Sequence, residues 1–133
     1  MIRENRIMIV DDKPKAKGST NQMMGNQNPN WEVMVMGSAL KALNYLDAKQ
    51  DKIEELPSLI ILDLDMPAVN GIGFLERFSH YNDNFKNACK IVVLTEPNNT
   101  DDMDFITSDP CITKTMQRPS VKSQWAPLFD IVN

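Results

Sequence analysis

At 133 residues, with 42% apolar and 24% charged residues, the chain has the size and composition of one globular domain. Its net charge of −4 argues against nucleic-acid backbones and anionic membranes as partners. Two cysteines, Cys89 and Cys111, without metal-ligand spacing, and one histidine give no zinc site.

The N-terminus, MIRENRIMIV, is charged and holds only four consecutive apolar residues, so it does not read as a signal peptide. No stretch approaches the length of a membrane span, and a reduced, cytoplasmic protein is expected. Ile7-Met8-Ile9-Val10 is the first of several short apolar runs rich in β-branched residues. Residues 13 to 30 have weak helical character; a helix is expected there because parallel strands need a crossover. The cluster Lys13, Lys15, Lys17 reads as a solvated helix start. The second run spans Trp31 to Met36. Ser38 then suits an N-cap for a helix with Ala39, Leu40, Leu43 and Leu46 on one stripe.

Leu59 to Leu62 is the third strand. After a loop ending at Gly71, Ile72, Phe74, Leu75 and Phe78 mark a helix, with His80 exposed in the loop beyond it. Ile91 to Leu94 is the fourth strand, followed by a short polar helix from about Asn99 to Thr107. Cys111-Ile112-Thr113 is a weaker fifth strand. Val121, Trp125, Leu128, Phe129 and Val132 form a last helical stripe that Pro127 interrupts. Near-continuous hydrophobicity suits parallel strands covered on both faces, so the pattern predicts a doubly wound α/β domain.

The strand ends gather chemistry. Strand one ends in Asp11-Asp12, strand three in Asp63, strand four in Thr95 and strand five in Lys114. In open α/β sheets ligands bind at the carboxyl ends of the strands. One polar strand end is unremarkable, whereas four of complementary chemistry point to a site. Three carboxylates held together repel one another, and a hard cation such as Mg²⁺ relieves that repulsion while leaving room for phosphate oxygens. A lysine and a threonine hydroxyl beside it suit a phosphoryl group, so the chemistry points to phosphoryl transfer onto a carboxylate.

"IMIVDDKP", "LIILDLDMPAVNG", "IVVLTE" and "ITK" resemble, in order and spacing, the receiver domain of bacterial two-component response regulators. The resemblance spans nearly the whole chain, residues 1–133, and implies a stand-alone receiver without an output domain. It implies a five-stranded parallel sheet of the flavodoxin-like, CheY-like type, with strand order 2-1-3-4-5. It further implies that Asp63 accepts a phosphoryl group from a histidine kinase or histidine phosphotransfer protein. Asp11, Asp12, Asp63 and the backbone carbonyl of Asp65 would hold Mg²⁺. Lys114 would bind one phosphoryl oxygen, and Thr95 would bond another and move inward, switching a face that binds a downstream protein. No nucleic acid or membrane is expected as a partner.

Four features depart from the family pattern. Glu96 follows Thr95 where a small residue is usual, and Thr115 follows Lys114 in place of proline. Cys111 occupies about the place of an aromatic switch residue. The segment from Thr95 to Lys114 is a few residues short. These departures leave room for a receiver that keeps the fold without the switch and acts as a constitutive interaction module. Asp63-Leu64-Asp65 also looks like the Asp-x-Asp pair of haloacid-dehalogenase-type phosphatases, although Pro67 and the short chain fit that fold poorly. The Asp65 carboxylate either faces solvent or orients a water that attacks the acyl phosphate.

Overall fold

The computed structural model describes residues 6–11, 32–63, 68–95 and 110–117. Within them the chain forms β1 (Arg6–Val10), β2 (Glu32–Met36), α1 (Ala39–Ala48), a 3₁₀ turn (Ile53–Glu55) and β3 (Leu59–Asp63). These are followed by α2 (Ala68–Ser79), α3 (Asp83–Ala88), β4 (Lys90–Thr95) and β5 (Ile112–Gln117). All five strands are parallel in one sheet, in the order β2-β1-β3-β4-β5. This is the doubly wound, flavodoxin-like order expected.

The apolar runs become strands because they are buried on both faces. Met8, Val10, Ile60, Leu62, Ile91 and Val93 form one core with Ala42 and Leu46 of α1, Phe74, Leu75 and Phe78 of α2, and Phe85 of α3. The alternate residues Ile7, Ile9, Leu59, Ile61, Val92 and Leu94 are also fully buried, which accounts for the lack of polar alternation.

Ser38 caps α1 as expected, its hydroxyl accepting from the Lys41 amide at 3.1 Å. The stripe differs at one position. Leu40 is exposed, and the buried residues are Ala42 and Leu46, with Ala39 and Leu43 packed at the margin. The 3.6-residue turn carries position 40 past the sheet, and a small residue lets α1 approach closely.

The helix expected after Gly71 starts at Ala68, so Gly71 lies within it. Burial of Phe74, Leu75 and Phe78 outweighs the low helix propensity of glycine. The short α3 was not anticipated; Asn82 caps it by accepting from the Phe85 amide at 2.9 Å, and Phe85 anchors it in the core. His80 is exposed, as expected.

β5 departs most. It does not end at Lys114 but continues through Thr115, Met116 and Gln117. A register shift accompanies it, since Ile91 pairs with Ile112 and Val92 with Lys114, leaving Thr113 as an extra residue on β5. The helices expected over residues 13–30, 99–107 and the stripe from Val121 to Val132 lie outside the described residues, as does Trp31.

Candidate functional site at the carboxyl edge of the sheet

Parallel pairing brings the strand ends to one edge. The β1–β3 register runs from Ile7 opposite Leu59 to Val10 opposite Leu62. Asp11 therefore follows β1 at the level where Asp63 closes β3. Asp63 in turn pairs with Leu94, and Thr95 is one row further along β4. Asp63 and Thr95 are placed here as backbone positions.

Asp11 is fully buried. Its amide donates to the Met36 carbonyl at 3.0 Å, carrying the β1–β2 ladder one step beyond the strand and fixing where the carboxylate leaves the sheet. A buried acid at the carboxyl edge, where open α/β sheets bind ligands, marks this position as a candidate site. Oxygen donors at the level of Asp11 and Asp63 have the hardness Mg²⁺ requires. Among the described residues no group of three or more His, Cys, Asp or Glu is assembled; Asp12 and Asp65 lie outside them.

Lys114 is not at this edge, which corrects the expectation that it ends strand five. It pairs with Val92, three rows before Thr95, and it is exposed. At the roughly 3.3 Å rise per residue of a strand this sets it about 10 Å back from the edge. The residue level with Thr95 is Gln117. The "ITK" triplet looked like a strand end because Thr115-Met116-Gln117 carries little apolar signal, and an outer strand does not need it. Cys111 precedes β5 and is half-buried against the core. Glu96 lies outside the described residues.

Two cavities formed by described residues lie elsewhere. One of about 350 Å³ is bordered by Phe78, Lys86, Cys89, Lys90 and Cys111, beside the amino ends of β4 and β5. Another of about 350 Å³ lies among Asp47, Gln50, Arg77, His80 and Tyr81. At the latter, Tyr81 donates to Asp47 at 2.5 Å and Arg77 donates to the other carboxylate oxygen at 3.0 Å. Burial, and secondarily the bond to Asp47, pushes the Tyr81 hydroxyl well above the usual tyrosine range. This group ties the tail of α1 to that of α2 and is structural.

The model of the response regulator receiver domain matches residues 7–122. The chain belongs to the response regulator receiver family. A receiver is a signalling module of two-component systems, and the strand order and the acidic carboxyl edge accord with that membership. A two-component response regulator from Cytophaga hutchinsonii superimposes with a TM-score of 0.77 at 18% identity, covering 98% of each chain. The receiver domain of a sensor histidine kinase from Pseudomonas aeruginosa, with a magnesium ion coordinated in its active site cleft, matches with a TM-score of 0.72 at 12% identity over 96% of each chain. A protein-glutamate methylesterase/protein-glutamine glutaminase from Rhizobium etli is 36% identical over 73 residues, 54% of this chain. The receiver chain spans only 19% of that relative's length.

No helix among the described residues is long and apolar enough to cross a membrane.

Proposed function

We propose that this receiver accepts a phosphoryl group on Asp63 from a phosphohistidine of a histidine kinase or histidine phosphotransfer protein, and so switches a face that binds a downstream protein. The observation that carries this reading is the fully buried Asp11 at the level of Asp63, on the edge where a parallel sheet binds ligands.

In the transfer, a carboxylate oxygen of Asp63 attacks phosphorus, the P–N bond to the donor imidazole breaks, and its electron pair stays with the nitrogen. The product is an acyl phosphate on Asp63. Asp11, Asp12, Asp63 and the Asp65 carbonyl would hold Mg²⁺, which when bound offsets the negative charge gathering on the phosphoryl oxygens. The Thr95 hydroxyl donates to one of those oxygens, which draws the end of β4 inward. The Asp65 carboxylate orients a water for hydrolysis of the acyl phosphate, so Asp65→Ala lengthens its lifetime relative to wild type. The esterase activity named for the longer relatives is theirs, since the chain spans only 19% of the length of one of them.

The full chain incubated with Mg²⁺ and acetyl phosphate should gain one phosphoryl group by intact mass, and Asp63→Asn should gain none. Absence of incorporation with small donors and with phosphohistidine proteins alike would overturn the reading. The displacement of Lys114 favours a second reading, a constitutive interaction domain. A beryllofluoride and Mg²⁺ titration followed by NMR separates the two, since the constitutive domain gives no saturable shifts around Asp63 and Thr95.

A further inference from the structure

Both cysteines of the chain border one cavity. It holds about 350 Å³, and Cys89 and Cys111, each a thiol, lie in its wall beside Phe78. Exposed Asp83, Asn87 and Lys90 line it too, so the cavity reaches solvent. The two thiols differ in access. Cys89 is 3% exposed and belongs to the core, whereas Cys111 is half-buried. Both stand at the opposite end of β4 from Thr95, away from the chemistry proposed at the carboxyl edge.

The sheet brings them close. Cys89 ends α3 with an extended backbone, φ −115° and ψ 115°, and leads directly into β4. Cys111 leads directly into β5. Because Ile91 pairs with Ile112, Cys89 stands two residues back on one strand and Cys111 one residue back on its neighbour. Strands about 4.8 Å apart with a rise of about 3.3 Å per residue put Cα atoms offset by one row about 6 Å apart, within the roughly 4.4–6.8 Å that a disulfide spans. Strict alternation would send two such side chains to opposite faces. The turn at Pro110 and Cys111 breaks the alternation: Cys111 and Ile112 both pack against the core that holds Cys89, Ile91 and Val93.

We propose that Cys89 and Cys111 are an oxidation site, at which a peroxide converts the two thiols into an intramolecular disulfide. The proposal stands apart from phosphorylation of Asp63. Hydrogen peroxide is small and uncharged, and it meets the more accessible thiol first. The Cys111 sulfur, giving up its proton, attacks one peroxide oxygen; the O–O bond breaks, hydroxide leaves with the electron pair, and a sulfenic acid remains. The Cys89 sulfur then attacks the Cys111 sulfur, the S–S bond forms, and the S–O bond breaks with loss of a second hydroxide. The two thiol protons turn both hydroxides into water, so one peroxide is reduced to two waters as two thiols are oxidised. A small thiol such as glutathione reverses the bond by exchange, as expected for a pair that oxidises transiently in a reducing compartment. The bond fastens the entry of β4 to the entry of β5 and leaves the carboxyl edge open.

The test treats the folded full chain with hydrogen peroxide, quenches it, and alkylates the remaining thiols under denaturing conditions. Counting alkylated thiols avoids interference from oxygen added to the nine methionines. Wild type should lose both alkylation sites together and regain both with dithiothreitol. Trypsin cuts after Lys90, so the disulfide should appear as peptide 87–90 joined to peptide 91–114. Cys89→Ala should stop at a sulfenic acid on Cys111 that dimedone traps. Cys111→Ala should lose its one remaining alkylation site at least about 10-fold more slowly than wild type loses its pair, because Cys89 is buried. Cys111 is half-buried, so that variant and the wild-type peptide map keep the test informative even where Cys89→Ala folds poorly. Three results overturn the proposal: thiols lost without the joined peptides, a disulfide found only between two chains, or folded wild type that keeps both thiols at a peroxide concentration that oxidises the urea-unfolded chain.

Discussion

The two ends of the sheet are built on opposite plans. At the carboxyl edge a buried acid, Asp11, stands level with a second acid, Asp63. At the other end, where α1 and α2 return toward the amino ends of the strands, aromatic rings close together. Phe78 lies 6.2 Å from Phe74, 5.7 Å from Tyr81 and 6.0 Å from Phe85, and Tyr81 stacks on Phe85 at 4.1 Å. The polar groups there are matched, with Asp47 accepting from both Tyr81 and Arg77. On the proposed reading one end serves binding, and the other holds the fold. The edge is therefore expected to tolerate substitution in stability and fail in chemistry, and the aromatic end to do the reverse.

The sharpest way to break that division is Asp63→Asn, which should abolish phosphoryl incorporation while leaving the thermal midpoint within a few degrees of wild type. A large drop in midpoint would show that the edge also carries the fold. Phe78→Ala is the converse. Truncating a ring that is 1% exposed and touches three others should cost about 3–5 kcal/mol in urea unfolding.

Tyr81→Phe removes a hydrogen bond to a charged acceptor and should cost about 1.5–3 kcal/mol. The pH dependence follows from the raised Tyr81 value. An unfolded tyrosine loses its proton near pH 10 while the folded one keeps it, so this contribution is complete below about pH 10 and is lost as pH rises through the alkaline range. Urea midpoints from pH 9 upward should fall less steeply in Tyr81→Phe than in wild type. The smallest effect on stability is expected at the edge: Asp11→Asn should leave the urea midpoint close to wild type and should lower the affinity for Mg²⁺ in a titration of the full chain.

The aliphatic runs announced the strands because burial on both faces leaves no alternative composition, and the sheet order followed from the resemblance. Asp11, Asp63 and Thr95 were legible for the same reason, since each breaks an apolar run at a point the sheet brings to one edge. The aromatic end was harder to read. Tyr81 and Phe85 sit in a polar stretch, and their value emerges only when α3 folds back onto Phe78. β5 was misread because nothing in Ile112-Thr113-Lys114 marks an added residue. A bulge is a relation between two strands, and a single strand's sequence does not display it.

The bulge at Thr113 has one more consequence. β5 stands last in the strand order, where unpaired backbone groups invite a second chain to add itself to the sheet. An extra residue interrupts the flat row such a chain would need, and the exposed Lys114 next to it sets an ammonium in its path. A charged, irregular outer strand of this kind is a poor template for a further strand.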